Sequence, residues 1–312
     1  MAQLDWFIRA NLRPRHFRIL VALDDLRNLG RVARSLHVSQ PAVSIALGDL
    51  ERGLGLKLFE RTAKGVVPNA YGECLIRQAR VVLASLAQAR DEMQALHSGA
   101  SGKIKVGALP AMTPGLLPQA IALLKEKAPL TRVMVQEGPM EALLPELRRG
   151  AVDLIVGRLP GHGAPAEVEE EALYSGHNVV VAGPRHPLAR RKRVSWQELV
   201  GYPWVLPPAG TLSREPLEAM LQKHGLGMPA DCLETLSIHV ITGYLQRTRA
   251  VGVLSQVVAG HYIESGMLAQ LPLALPDPQR PIGMTWNRHH PLSAAAQGLM
   301  RCLRESVAQM RP

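Results

Sequence analysis

Ser39-Gln40-Pro41-Ala42-Val43-Ser44 is the stretch that decides the fold. Ser39 has a hydroxyl suited to capping a helix, and Pro41 fits a first turn, where no amide hydrogen is needed. The spacing predicts a helix running on to about Arg52. Val43, Leu47, Leu50 and Leu54 recur at helical intervals and should face one core, while Gln40 and Ser44 begin the other face. Upstream, Leu29, Val32, Ala33 and Leu36 make a second short apolar stripe with Asn28 as its cap. Only His37-Val38 separates the two. Two short helices on so tight a turn form a helix-turn-helix, a unit whose second helix reads the major groove of DNA.

Pro14 opens a preceding helix, expected to reach Arg27 with Phe17, Leu20, Val21 and Leu23 or Asp24 on its inner edge. After Gly53-Leu54-Gly55-Leu56, the run Lys57–Arg61, a turn at Thr62–Gly65 and Val66-Val67-Pro68 read as a two-stranded wing. Asn69 then caps a helix reaching about His97. Along it Leu75, Ala79, Val82, Leu86, Ala89, Met93 and Leu96 alternate spacings of four and three, an a/d heptad seam. At ~1.5 Å per residue that helix spans roughly 40 Å, too long to bury its seam inside a small winged domain. A partner helix from a second subunit is the expected cover, and the chain's own C-terminal part is the alternative. Ser98-Gly99-Ala100-Ser101-Gly102 is a small-residue hinge.

Charge follows the same division. The 312 residues carry a formal +10. Residues 1–68 hold eleven Lys/Arg against six Asp/Glu, residues 69–101 balance at three against three, and the rest carry twenty-two against seventeen. The basic excess is therefore about threefold denser at the N-terminus, which suits a polyphosphate partner through counterion release. Solubility alone is the plainer reading of charge taken by itself. Cys74, Cys232 and Cys302 have neither metal spacing nor disulfide parity and read as small buried hydrophobes. The first residues lack a signal-peptide pattern, and no uncharged apolar run is long enough to cross a bilayer. The expectation is a soluble, cytoplasmic protein.

Beyond the hinge the pattern alternates strand and helix. Strands are expected at Lys103–Gly107, Arg132–Gln136, Asp153–Gly157, His177–Ala182, Val205–Leu206, Cys232–Leu236, Val251–Leu254 and Met284–Trp286. Helices are expected at Pro114–Lys127, Met140–Arg149, Trp196–Val200, Pro216–His224, Ile238–Gln246 and Ser293–Val307. Such alternation implies mostly parallel sheets with helices on both faces. The whole chain then reads as α+β and multi-domain.

Residues 13–73 resemble the DNA-binding domain of the LysR-type transcriptional regulators. Ala33–Ser44 carries the resemblance, with Leu50-Glu51, Leu54-Gly55, Leu58-Phe59-Glu60-Arg61-Thr62 and Gly72-Glu73. Val106-Gly107, Leu116-Leu117-Pro118, Gly150 with Asp153-Leu154, His186-Pro187-Leu188 and Pro203-Trp204-Val205-Leu206-Pro207 resemble that family's effector-binding domain. Tyr202–Pro208 and Leu292-Ser293 look most like the subgroup of protocatechuate and galactose-binding-protein regulators. The chain departs at Ile45, where the family commonly has a basic residue, at Val32 in place of alanine, and at Asn69 in place of threonine.

The resemblance implies a winged helix-turn-helix domain over 1–68, a linker and dimerisation helix over 69–97, a hinge at 98–102 and an effector domain over 103–312. That domain would be two-lobed, like the type II periplasmic binding proteins. Lobe I would comprise 103–182 and 281–312 and lobe II 183–280, with crossings near Ala182–Gly183 and Pro276–Pro281. Effector would sit in the cleft between lobes, at the carboxyl ends of strands. Implied partners are double-stranded DNA at an inverted repeat, a small effector, a homodimer building a homotetramer, and RNA polymerase. No membrane and no cofactor is called for.

Gln40 is the best base reader, because its amide can make a bidentate contact with adenine. Pro41 or Ala42 can touch a thymine methyl, and Ser44 a base or phosphate. Ser39 can contact DNA or serve as a cap alone. Arg34, Arg52, Arg61 and Lys64 suit phosphates. In the sensor, Pro110, Ala111, Met112 and Thr113 follow the first strand, with Thr113 placed to cap the next helix. A plain cap without a ligand weighs nearly as much there. Pro208, Thr211 and Ser213 form the matching loop of the second lobe, and Gly138, Arg158 and Ser237 follow other strands. His239 reads more simply as a satisfied, partly buried histidine. Arg190-Arg191-Lys192-Arg193 and His289-His290 read as surface turns. The net +5 of the sensor favours an organic anion. No Gly-x-Ser-x-Gly elbow, phosphate-binding loop or His-Glu-x-x-His appears, which argues against an enzyme. The alternative function is a solute-binding protein with no DNA-dependent role.

Overall fold

The structure is a computed structural model that describes residues 2–62, 65–98, 102–161, 165–211, 214–273, 275 and 281–310. The chain divides into two compact units, residues 1–93 with 289–291 and residues 94–288 with 292–312.

The first unit holds α1 (Ala2–Ala10), α2 (Pro14–Leu26), α3 (Leu29–Ser35), α4 (Gln40–Leu54), β1 (Phe59–Thr62), β2 (Gly65–Pro68) and most of α5 (Ala70–Ser98). The expected caps form. Asn28 Oδ1 accepts the Arg31 amide at 3.0 Å, and Ser39 Oγ accepts that of Ala42 at 3.3 Å. Asn69 Oδ1 accepts the amides of Tyr71 and Gly72 at 3.1 and 3.0 Å. The helix-turn-helix turn is closed at its other end by a Schellman arrangement. Val38 N–H donates to Ala33 O at 2.9 Å and His37 N–H to Arg34 O at 3.3 Å, with His37 left-handed at φ 55°.

Leu20, Leu23, Val32, Val43, Leu50, Leu54, Leu58 and Phe59 form one core with Ile76 and Ala79 of α5. The inner edge of α2 is turned from the expected one. His16 and Ile19 are buried with Leu20 and Leu23, whereas Phe17 and Val21 only pack at the margin. The unexpected α1 packs Phe7 over Gly53, where an added Cβ would fall 2.0 Å from the ring. β1 and β2 pair antiparallel as a wing. Gly65, at φ +106°, brings the wing against α2, with Val66 N–H on Arg27 O at 3.0 Å. A Cβ at Gly65 would meet that same carbonyl at 2.3 Å.

The second unit is built on two five-stranded sheets. In chain order its elements are β3 (Lys103–Ala108), α6 (Leu116–Lys127), β4 (Arg132–Glu137), α7 (Met140–Arg148), β5 (Leu154–Arg158), β6 (Val168–Tyr174), β7 (Asn178–Ala182) and α8 (Trp196–Leu199). They continue with β8 (Trp204–Leu206), α9 (Glu215–Lys223), β9 (Cys232–Glu234), α10 (Ile238–Arg247), β10 (Val251–Ser255), α11 (Gln256–Glu264), β11 (Ala269–Gln270), β12 (Ile282–Asn287) and α12 (Ala294–Met310). Strand order is β4-β3-β5-β12-β6 in one sheet and β11-β7-β10-β8-β9 in the other.

Three features depart from expectation. The sheets are mixed, because β12 runs antiparallel to β5 and β6, and β7 antiparallel to β10 and β11. β7 belongs to the second sheet, so the first crossing lies between Tyr174 and Asn178, not near Ala182–Gly183. Cys74 and Cys232 are exposed and only Cys302 is buried. Cys232 begins the edge strand β9, which leaves it little cover. The second crossing expected at Pro276–Pro281 lies almost wholly outside the described residues, as do Gly99, Ala100 and Ser101 of the hinge. Among the described residues no helix is long and apolar enough to cross a membrane, and no group of acidic, histidine and cysteine side chains could hold a metal.

Candidate functional site

α4 is held from beneath. Glu51, on its inner side and 8% exposed, accepts the Leu58 and Phe59 amides at 2.8 and 3.3 Å and the Lys57 ammonium at 2.7 Å. Burial alone would raise its pKa, but Lys57 and the two amides outweigh that and hold it below the usual glutamate range. A buried carboxylate thus ties the recognition helix to the first wing strand.

The outer side is solvent-facing. Ser39, Gln40, Pro41, Ala42, Ser44 and Ile45 are all exposed, and so are Arg34 on α3 and Arg61 on β1. Gln40 lies to one side, its Oε1 3.5 Å from where a Cβ on Gly30 would stand. Arg34 and Arg61 carry no ion pair among the described residues. Arg52 differs, since it is paired with Asp49 and its Nε donates to Gly48 O at 3.3 Å. Lys64 lies outside the described residues.

On α5 the expected seam divides. Ala79 is fully buried and Leu75 half-buried against the winged core, so the first turns are covered within the chain. Ile76, which the heptad pattern omits, is buried beside them. Along the rest of the stripe Leu86 and Met93 are exposed, Met93 by 70%, and Val82 is 37% exposed. Ala89 carries the stripe between Leu86 and Met93. The side chain of Leu96 lies outside the described residues.

The second unit holds a cleft of about 970 Å³, counting its open mouth. Its walls come from the carboxyl ends of six strands. Leu109–Met112 follows β3, Pro139–Glu141 follows β4, and Arg158 ends β5. Pro207 and Thr211 follow β8, Thr235, Leu236 and Ile238 follow β9, and Ser255 ends β10. Ligands of open α/β sheets bind at such strand ends. The lining is mostly aliphatic, and Arg158 is its one cation among the described residues. Arg158 Nη2 donates to Asn178 Oδ1 at 3.4 Å, so β5 of one sheet touches β7 of the other across the cleft. The nearby Tyr174 hydroxyl is buried without a hydrogen-bond partner among the described residues, and burial pushes its pKa up to about 12 against the pull of Arg158.

Of the expected effector residues, Pro110, Ala111, Met112, Arg158 and Thr211 line this cleft. Gly138, Pro208 and Ser237 do not, being replaced by their neighbours Pro139, Pro207, Leu236 and Ile238. Thr113 neither lines the cleft nor caps α6. Its Oγ donates back to Pro110 O at 2.9 Å, and Gly115 occupies the cap without a side-chain bond. Ser237 spends its hydroxyl on capping α10 through the Val240 amide. Ser213 lies outside the described residues, and His239 is exposed and away from the cleft. Sequence reasoning missed Glu141, Asn178, Thr235 and Ser255 as cleft residues. It also missed Arg214, which holds the cleft lip by donating to Pro207 O at 2.8 Å while bonding Glu218. The Arg214–Glu218 spacing of one helical turn was the available signal.

A winged helix-turn-helix followed by a long helix and a two-sheet domain with a cleft at its strand ends is the architecture of a DNA-binding transcriptional regulator. Family models agree. Residues 14–73 match the bacterial regulatory helix-turn-helix protein, lysR family, and residues 97–308 match the LysR substrate binding domain. The chain belongs to the LysR family of transcriptional regulators. It is 34% identical over 301 residues to the regulator GbpR of Azospirillum brasilense, covering 96% of this chain and 88% of that one. It is 30% identical over 299 residues to the regulator PcaQ of Agrobacterium fabrum, covering 96% of each. A full-length OxyR variant from Pseudomonas aeruginosa has the same fold, with a TM-score of 0.65, 25% identity, and coverage of 94% of this chain and 95% of that one.

Proposed function

We propose that this regulator senses a small organic acid with an apolar body, bound in the cleft with its carboxylate on Arg158. One observation carries the reading: Arg158 is the one cation, among the described residues, in a cleft walled by Leu109, Met112, Val205, Leu254 and Ile282. A charge-assisted bond to Arg158 would fix a carboxylate, the mostly aliphatic wall would take an apolar body, and Asn178, Thr235 and Ser255 remain for any further polar group of the ligand. Pro110, Ala111, Met112 and Thr211 complete the contact surface.

The winged unit binds an inverted-repeat site, with Ser39, Gln40, Pro41 and Ser44 toward the bases and Arg34, Arg61 and Lys64 toward phosphates. Arg52 joins them by exchanging Asp49 for a phosphate. Val82, Leu86, Ala89 and Met93 support a homodimer through paired α5 helices, because an apolar stripe left open to solvent needs a cover. Effector shifts the balance between cleft conformers, and that shift repositions the DNA-binding pairs in a homotetramer acting on RNA polymerase in the cytoplasm.

The test is a thermal-shift screen of aromatic acids, sugars and sugar acids against the full chain and its Arg158→Gln variant. A ligand of the native state raises the melting temperature by mass action. The reading expects an aromatic or aliphatic acid to do so for the natural chain alone. Equal shifts in both proteins, or a shift only with neutral sugars, would contradict it.

A further inference from the structure

On α4 the residues that face inward are Val43, Leu50, Glu51 and Leu54, with Leu47 half-buried. At about 100° per residue, Ile45 stands opposite them, at the middle of the outward face. It is 61% exposed. Pro41 and Ala42 flank it on the N-terminal side, so the centre of this face is apolar. Ser44 lies at its margin, while Gln40 is exposed at the helix start on the side above Val43 and Leu47. One turn on, Gly48 adds no side chain, and nothing lies within 4 Å of where its Cβ would stand. Arg52, further along, is drawn back onto Asp49 and Gly48. Ile45 therefore projects beside an open step in the helix surface, with Asp49 one turn on held by Arg52.

The occupant of this face is DNA. Arg31, Arg34 and Arg61 of the same unit are exposed and carry no ion pair among the described residues, a cationic frame suited to phosphates. In the major groove the one apolar feature of a base edge is the C5 methyl of thymine. We propose that Ile45 is a specificity-determining residue that reads a thymine methyl in each half-site, with Gly48 supplying the clearance for the base to approach. This rests on the DNA-reading assigned to α4 above.

The experiment selects binding sites from a random DNA pool with the full chain. Each thymidine of the enriched half-site is then replaced singly by deoxyuridine, which removes only the methyl, and affinity is read by fluorescence anisotropy. One position per half-site should lose about fourfold, the worth of one methyl group kept from water. Ile45→Ala should bind the thymidine and deoxyuridine sites equally, and Ile45→Val should keep part of the difference. Gly48→Ala should raise the melting temperature, as alanine does within a helix, yet weaken binding to the selected site. The proposal is overturned if no thymine methyl matters, or if the methyl effect persists in Ile45→Ala. Enrichment of no site at all would overturn the base-reading of α4 itself, and this proposal with it. A melting curve for each variant separates lost contact from lost fold.

Discussion

The outward face of α4 and the cleft of the second unit are chemical inverses. The first sets an apolar centre, Ile45 with Pro41 and Ala42, within a frame of the exposed arginines Arg31, Arg34 and Arg61. The second sets a few polar groups, with Arg158 the one cation and Glu141 the one carboxylate among the described residues, within mostly aliphatic walls. In each, the informative group is the one that differs from its surroundings. A charge among charges adds affinity without selectivity, and a methyl among methyls adds volume without direction. Discrimination is therefore expected by shape and methyl contact on DNA, and by charge in the cleft.

Removing what supports one surface should leave the other intact. Glu51→Ala leaves the Leu58 and Phe59 amides without their acceptor inside the winged core. It should cost about 3 kcal/mol of stability, read as a lower melting temperature, while an effector-induced shift survives. Because folding lowers the Glu51 pKa, its contribution is fully present above the ordinary glutamate value of 4.5 and is lost as pH falls below that value through the lowered folded one. The stability gap between the natural chain and Glu51→Gln should therefore narrow on acidification. A gap that widens would refute the assignment.

Arg158→Gln should weaken an acidic effector by roughly ten- to a hundredfold in a titration, the loss expected for one charge-assisted contact. DNA affinity without effector should stay the same. Arg34→Ala has the converse signature: DNA affinity falls severalfold on every sequence, and the salt slope drops by about one. A loss confined to the selected site would make Arg34 a base reader. The smallest effect is expected at His37, whose left-handed φ of 55° suits glycine. His37→Gly should gain about 0.5–1 kcal/mol in denaturant unfolding with DNA affinity unaltered.

The winged unit is the more legible of the two in sequence, because its signals are local. Asn28, Ser39 and Asn69 cap where their types and positions indicate. The cleft is less legible because its walls come from residues far apart in the chain. Asn178 and Arg158 meet only because β7 joins the second sheet, and a buried valine run such as Val179–Val181 reads alike in either sheet. β6, with Glu169, Glu170 and Glu171 in succession, lacks apolar alternation since it is an edge strand. α11 is hidden by a sequence apolar on most sides. Ile45 is visible as a departure, but its place at the centre of the outward face needs the buried set of α4 to be known.

The most direct measurement is an anisotropy titration of the full chain on DNA from beside its own gene, against a scrambled fragment of equal composition, at about 150 mM salt. Specific binding should exceed non-specific binding by about a thousandfold or more, as sequence-reading proteins do. Equal affinity for both fragments, with the same salt dependence, would contradict the account.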